Sequence, residues 1–169
     1  MAEVLFGKNK ILLFREFVGE DNIEDAKGMV FQTEHTFSYS RSLDRILTKS
    51  GTIVKVGGLE SEVSIEAIQA KTDPIGTMLR ASVLAGKKLE LWEVTVDEEM
   101  KDVDDKYPSV YCRGYLDSWE NGANVEDEST ISSNFIIEMV PQTGVTGLST
   151  AQEEAVQYAF EEAVGTPIV

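Results

Sequence analysis

Met29-Val30-Phe31-Gln32-Thr33-Glu34-His35-Thr36-Phe37-Ser38-Tyr39-Ser40 is the stretch that decides the fold class. Taken in steps of two, it sets Met29, Phe31, Thr33, His35, Phe37 and Tyr39 against Gln32, Glu34, Thr36, Ser38 and Ser40. A period of two belongs to a strand with one buried face and one face in water. Ser61 to Lys71 repeats the pattern, with Val63, Ile65 and Ala67 opposite Glu62, Ser64 and Glu66. Outward from these, Asn9–Phe17 reads as a largely buried strand, and Thr52–Val56, Lys87–Val96, Ser109–Trp119 and Thr130–Val140 read as further strands. Glu120-Asn121-Gly122 signals the turn of a hairpin between the last two. Arg41–Gly51 reads as a polar connection, Gly57-Gly58 as a turn or bulge, and Pro141–Leu148 as a linker. Gly19–Gly28 and Asp97–Lys106 are acidic loops.

Two helices interrupt the strands. Asp73 is a good N-cap, Pro74 suits the first helical position, and Gly86 stands where a helix stops. Ile75, Met78, Leu79 and Val83 give that helix, about 74–85, one apolar stripe. Thr150 with Glu153 forms a capping box for a second helix, about 150–164, whose apolar side is Val156, Ala159, Phe160 and Ala163. Strands in runs with isolated helices predict a mainly β, α+β domain: an antiparallel sandwich or barrel. The expectation is one domain over residues 1–169, with irregular, mobile ends at 1–8 and 165–169.

Charge excludes several functions. Thirty Asp and Glu against fifteen Lys and Arg give a net charge of −15, which opposes gripping nucleic acid through its phosphates. One Cys excludes an internal disulfide, and Cys112 reads as a small buried hydrophobe. One His, His35, cannot complete a zinc site and reads as a satisfied core or interface residue. No phosphate-binding loop, dinucleotide fingerprint or nucleophile elbow is present, and the acidic loops lack the spacing of a calcium-binding hand. The expectation is no catalysis, no cofactor and no metal. No early apolar run is long enough for a signal peptide, and no stretch is long enough to span a membrane.

Asp73-Pro74-Ile75-Gly76-Thr77-Met78-Leu79-Arg80-Ala81-Ser82 leads through Gly86-Lys87-Lys88-Leu89-Glu90-Leu91-Trp92 to Tyr107-Pro108-Ser109-Val110-Tyr111-Cys112-Arg113-Gly114-Tyr115-Leu116. With Thr36–Ser40 before and Ser149–Ala163 after, the chain resembles the major tail proteins of long-tailed phages of lactic-acid bacteria, lactococcal siphophages above all. The likeness runs over the whole chain and rests on the order of elements, not on one motif. It implies a tail-tube fold, and subunits that form sixfold rings stacked into a tube around a tape-measure protein. It further implies a tail terminator and a distal tail protein as partners, and a lumen that passes DNA without specific binding. The setting would be the virion tail, after assembly in the host cytoplasm, with no membrane.

Glu34, Glu62, Glu66 and Glu138 lie on strands whose other face is apolar, and are the candidates for the inner wall. The resemblance offers Lys8, Arg41, Asp44, Arg45, Lys49, Thr166, Ile168 and Val169 as contacts with a neighbouring ring. The rival readings are a tube protein of a contractile or secretion system, a small acidic enzyme, and an acidic binding module.

Overall fold

The computed structural model describes residues 2–19 and 24–149 of the 169-residue chain. Among these residues six strands form one antiparallel sheet: β1 (Lys10–Glu16), β2 (Phe31–Thr48), β3 (Gly51–Ile68), β4 (Leu89–Thr95), β5 (Tyr107–Gly122) and β6 (Thr130–Thr146). A helix, α1 (Pro74–Ala85), joins β3 to β4. The strand order is β1-β4-β5-β6-β3-β2. The sheet curls around a core of Leu12, Phe14, Val63, Ile65, Leu91, Phe135 and Leu79 of α1, giving a sandwich-like shape. Asp73 caps α1 through hydrogen bonds from the Ile75 and Gly76 amides, and Gly86 ends it in the left-handed conformation, as the sequence predicts. The helix expected over 150–164 lies outside the described residues.

Curling brings the two terminal strands, β1 and β2, together, but they do not pair as strands. Phe14 exchanges both backbone hydrogen bonds with Lys27, just ahead of β2. Two residues along β1, the Leu12 amide donates to Gln32 Oε1 (3.0 Å) while Gln32 Nε2 donates to the Leu12 carbonyl (2.8 Å). A primary amide carries the same donor and acceptor as a peptide group, so the Gln32 side chain substitutes for one rung of ladder. Gln32 was expected on the polar face. A register shift between Gln32 and Glu34 turns it inward and leaves Thr33 exposed, and only from Glu34 onward does the predicted alternation hold.

Three further expectations are corrected. Residues 41–51 are not a polar connection: β2 runs on to Thr48, turns at Lys49-Ser50 and returns as β3. Gly57-Gly58 does not end a strand but lies inside β3, opposite a second register shift between Arg41 and Leu43. A Cβ on Gly57 would lie 2.9 Å from the Ser42 carbonyl oxygen, so close backbone approach explains that glycine. Residues 141–148 are not a linker either, since β6 continues through Pro141 to Thr146, still paired with β5. Replacing Gln32 with Ala strips the Leu12 N–H and the Leu12 C=O of the partners that this side chain supplies. The expected loss is about 2 kcal/mol of unfolding free energy, measured by urea denaturation. Replacement with Glu, which cannot donate to the Leu12 carbonyl when ionised, should cost a similar amount.

Candidate functional surfaces

β2, β3, β6 and the far half of β5 present one continuous outward face. Cross-strand partners share a face, and the pairs Glu34↔Glu66, Ser38↔Glu62, Glu66↔Ser132, Ser64↔Asn134 and Asn134↔Ser118 join into a single polar surface. No Lys or Arg occurs in Glu34–Ser40, Glu60–Ile68, Tyr115–Gly122 or Thr130–Ile136, the segments that build it. Opposite it, Val63, Ile65, Ala67, Leu116, Ile131 and Phe135 are buried.

The structure brings Glu34, Glu62 and Glu66 together on this surface, all exposed. Glu138 lies on the same side of β6 but away from that group: its Oε2 is 2.6 Å from Lys88 Nζ, and it pairs with Arg113 across the ladder. Glu60 and Glu120 add to the acidic strands. Neither is among the candidates the sequence offers, although Glu60 stands one step of two before Glu62 in the same alternation.

Beyond the Glu62↔Ile136 rung, β3 leaves β6 and continues with β2 alone as a two-stranded arm. Leu43, Arg45, Leu47, Thr52, Val54 and Val56 share one face of it, and all are exposed. Arg41, Asp44, Arg45 and Lys49 therefore all sit on the arm, while Lys8 sits before β1 with its ammonium over the Phe6 ring. Thr166, Ile168 and Val169 lie outside the described residues.

A cleft of about 760 Å³ opens between β1 and β2, lined by Lys8, Lys10, Gln32, His35, Tyr39 and Glu93 among others. His35 Nε2 lies 2.7 Å from Glu93 Oε2, both side chains little exposed, with Lys10 Nζ 3.9 Å from the other carboxylate oxygen. The His35 hydrogen bond, helped by Lys10, holds the Glu93 carboxyl below the usual carboxylate range despite burial. The pair ties β2 to β4 across the cleft. Burial, with the Glu93 charge adding to it, pushes the Cys112 thiol up to about 12, which leaves it un-ionised and unreactive at neutral pH. Among the described residues no three His, Cys, Asp or Glu are grouped to hold a metal ion.

What this arrangement offers is surfaces: a polar wall, two strand edges and an arm. The sequence profile of the phage tail tube proteins matches residues 4–143, and the chain belongs to that family. It is therefore a structural protein of a virion tail tube and not an enzyme. Among solved structures, the tail tube of phage SPP1 is 19% identical, with 97% of this chain and 95% of that one covered, at a TM-score of 0.76. A chain in the tail of an empty gene transfer agent particle, refined with C6 symmetry, is 10% identical over 85% of this chain and 100% of its own, at 0.61. A chain of the anti-feeding prophage baseplate is 10% identical over 87% and 98%, at 0.55. No curated protein matches the sequence significantly.

Glu34 and Glu66 are direct cross-strand partners with like charge, an arrangement that costs stability. Glu66→Gln should raise the unfolding free energy of the dispersed subunit by roughly 0.2–1 kcal/mol at low ionic strength. The gain should shrink in 1 M NaCl, where charge is screened within about 3 Å. Urea titrations at the two salt concentrations check both statements.

Proposed function

We propose that this chain closes into sixfold rings through strand edges, that the rings stack around a tape-measure protein, and that the Lys- and Arg-free face lines the channel through which DNA leaves. The observation that carries the reading is that face, bounded by two edges that have no strand partner among the described residues. Among the described residues, β2 from Thr33 to Ser40 pairs only with β3, and β5 beyond Gly114 pairs only with β6. Bare edges of this length invite pairing with another chain. An edge of one copy joined to the other edge of the next is a head-to-tail contact, which closes when its rotation divides a circle. The C6 symmetry of the gene transfer agent tail supports six.

The better overlap with the SPP1 tube than with the anti-feeding prophage favours a long non-contractile siphophage tail, those of lactococcal phages among them. In this reading Glu34, Glu62 and Glu66 repel a duplex that carries one charge per ~1.7 Å of axis. Glu138, already paired with Lys88, contributes least. A tail terminator and a distal tail protein would cap the two ends. Residues 1–8, the β2–β3 arm and residues 165–169 are the surfaces for the adjoining ring.

Electron microscopy of the purified chain, seeded with tail extract, should show rings and rods. A strict monomer at every concentration and salt overturns the proposal. Replacing Glu34, Glu62, Glu66 and Glu138 together with Lys should leave folding and assembly intact. It should slow DNA ejection, more so at low salt, because screening acts over ~10 Å at 0.1 M. Ejection at the wild-type rate at low salt would remove these four residues from the wall.

A further inference from the structure

β4, the start of β5 and the end of β6 carry an aromatic patch on the side of the sheet away from the main core. Cross-strand partners share a face, and the pairs Trp92↔Tyr111, Val94↔Ser109, Tyr111↔Gln142 and Ser109↔Gly144 assemble it. Gly144 has no side chain to fill its place. A Cβ there would meet no atom of the described residues within 4 Å beyond its chain neighbours. The result is a hollow of about 140 Å³ over Gly144, lined by Trp92, Ser109, Tyr111, Gln142 and Thr146 among others. The Ser109 hydroxyl is buried and has no hydrogen-bond partner among the described residues. A buried polar group left unpaired is costly, so this one calls for a partner from outside.

Charged groups set the aromatic rings in place. The Trp92 and Tyr111 rings lie 5.0 Å apart, with the Arg15 guanidinium 4.9 Å over Trp92 and that of Arg113 5.5 Å over Tyr111. Buried Glu90 accepts from Arg15 Nε (2.7 Å) and from the Tyr111 hydroxyl, which itself accepts from Arg113 Nε (2.7 Å). A second hollow, of about 380 Å³, opens on this network and is lined by Arg15, Glu90, Arg113 and the same two rings.

We infer that the two hollows form one binding site for a neutral saccharide, with one pyranose ring seated over Gly144 and the next reaching Arg113. A pyranose has an apolar C–H face and a rim of hydroxyls. The face suits the Trp92–Tyr111 pair, and the hydroxyls suit Ser109 Oγ and Gln142 Oε1, whose amide nitrogen is already engaged by the Val140 carbonyl at 3.0 Å. A wholly apolar ligand would leave the Ser109 hydroxyl unpaired. An anion meets cations that are already matched: Arg15 is bonded to Glu90, and Arg113 is bonded to Tyr111 and faces Glu138 across the ladder. The net charge of −15 opposes its approach as well. The site goes beyond the tube reading and does not depend on it.

Fluorine NMR of the full chain labelled with 5-fluorotryptophan tests the site. The sequence has two tryptophans, and the signal missing from Trp119→Phe identifies Trp119. The probes are maltotetraose, chitotetraose and laminaritetraose, with tetragalacturonate as the charged control. At least one neutral probe should shift the Trp92 signal saturably and leave that of Trp119 unmoved. Ser109→Ala should weaken this binding by roughly tenfold, as loss of one buried hydrogen bond does. It should leave the urea midpoint unchanged, because the hydroxyl has no partner in the fold to lose. Gly144→Val fills the hollow with a residue that strands favour, and should abolish binding in a chain that circular dichroism shows to be folded. The site is overturned by the absence of a saturable Trp92 shift with every neutral probe, by a shift that survives both substitutions, or by tighter binding of tetragalacturonate.

Discussion

β3 alternates without a slip from Ser61 to Ile68, and this one segment commits the sheet to two incompatible surroundings. Val63, Ile65 and Ala67 are all but inaccessible, whereas Glu62, Ser64 and Glu66 are in water. A shift of one residue would bury three polar groups, two of them carboxylates, and expose the centre of the core. Because β3 is hydrogen-bonded to β2 on one side and β6 on the other, its register dictates theirs. Phe37 and His35 must point inward beside Val63 and Ile65, and Phe135 and Ile131 must do so on β6. The polar wall is thus a geometric consequence of the core, held as rigidly as the core itself.

The same sheet has to bend, and it does so where pairing is interrupted. Register shifts occur between Gln32 and Glu34, Arg41 and Leu43, Tyr111 and Arg113, and Leu116 and Ser118. Opposite the Tyr111/Arg113 shift, β6 takes up the extra length with Met139 at φ +60°, an uncommon left-handed residue whose side chain stands in solvent. Gly114 sits beside it because a Cβ there would collide with the Ile136 carbonyl. The first shift swings Gln32 into the seam, and the second lets β2 and β3 leave the sheet as the arm. Bulges of this kind re-aim side chains and increase local twist. Here they turn a flat ladder into a curled body with a projecting ribbon.

This division explains what the sequence disclosed. Wherever hydrophobic contrast existed, the elements were legible: β1 from its apolar run, α1 from Asp73, Pro74 and Gly86, and β3 from its alternation. Glu34, Glu62 and Glu66 share a face, as the period of two required. His35 and Cys112 proved to be satisfied interior groups, as expected of lone residues on apolar faces. The arm was not legible, because neither of its faces is buried by the described residues: polar and apolar residues mix on both, so no contrast marks it as strand. Pro141 and the glycines around it hid the end of β6 for a related reason, since an exposed edge tolerates residues that a central strand refuses. The bulge at Gln32 left no trace in the pattern. One misplaced residue looks like noise until the Leu12 peptide group shows what it serves.

The parts that resisted reading are those that a single copy leaves unfinished. Strand edges without partners among the described residues, and a ribbon whose leucines and valines those residues leave bare, are liabilities in a monomer, which natural proteins ordinarily blunt with charge or cover. The net charge of −15 supplies general repulsion between copies, so that sticky features do not lead to disordered aggregation. Repulsion of that kind is not uniform, however. Every cation of the chain lies at or before Arg113, and the arm holds four of them. Approach of two copies is therefore penalised in most orientations and least penalised where the arm meets acidic surface. Charge distribution can in this way select an orientation before apolar contacts form, and short-range packing then fixes it. The composition that excludes a nucleic-acid grip thus also bears on how copies of the chain meet.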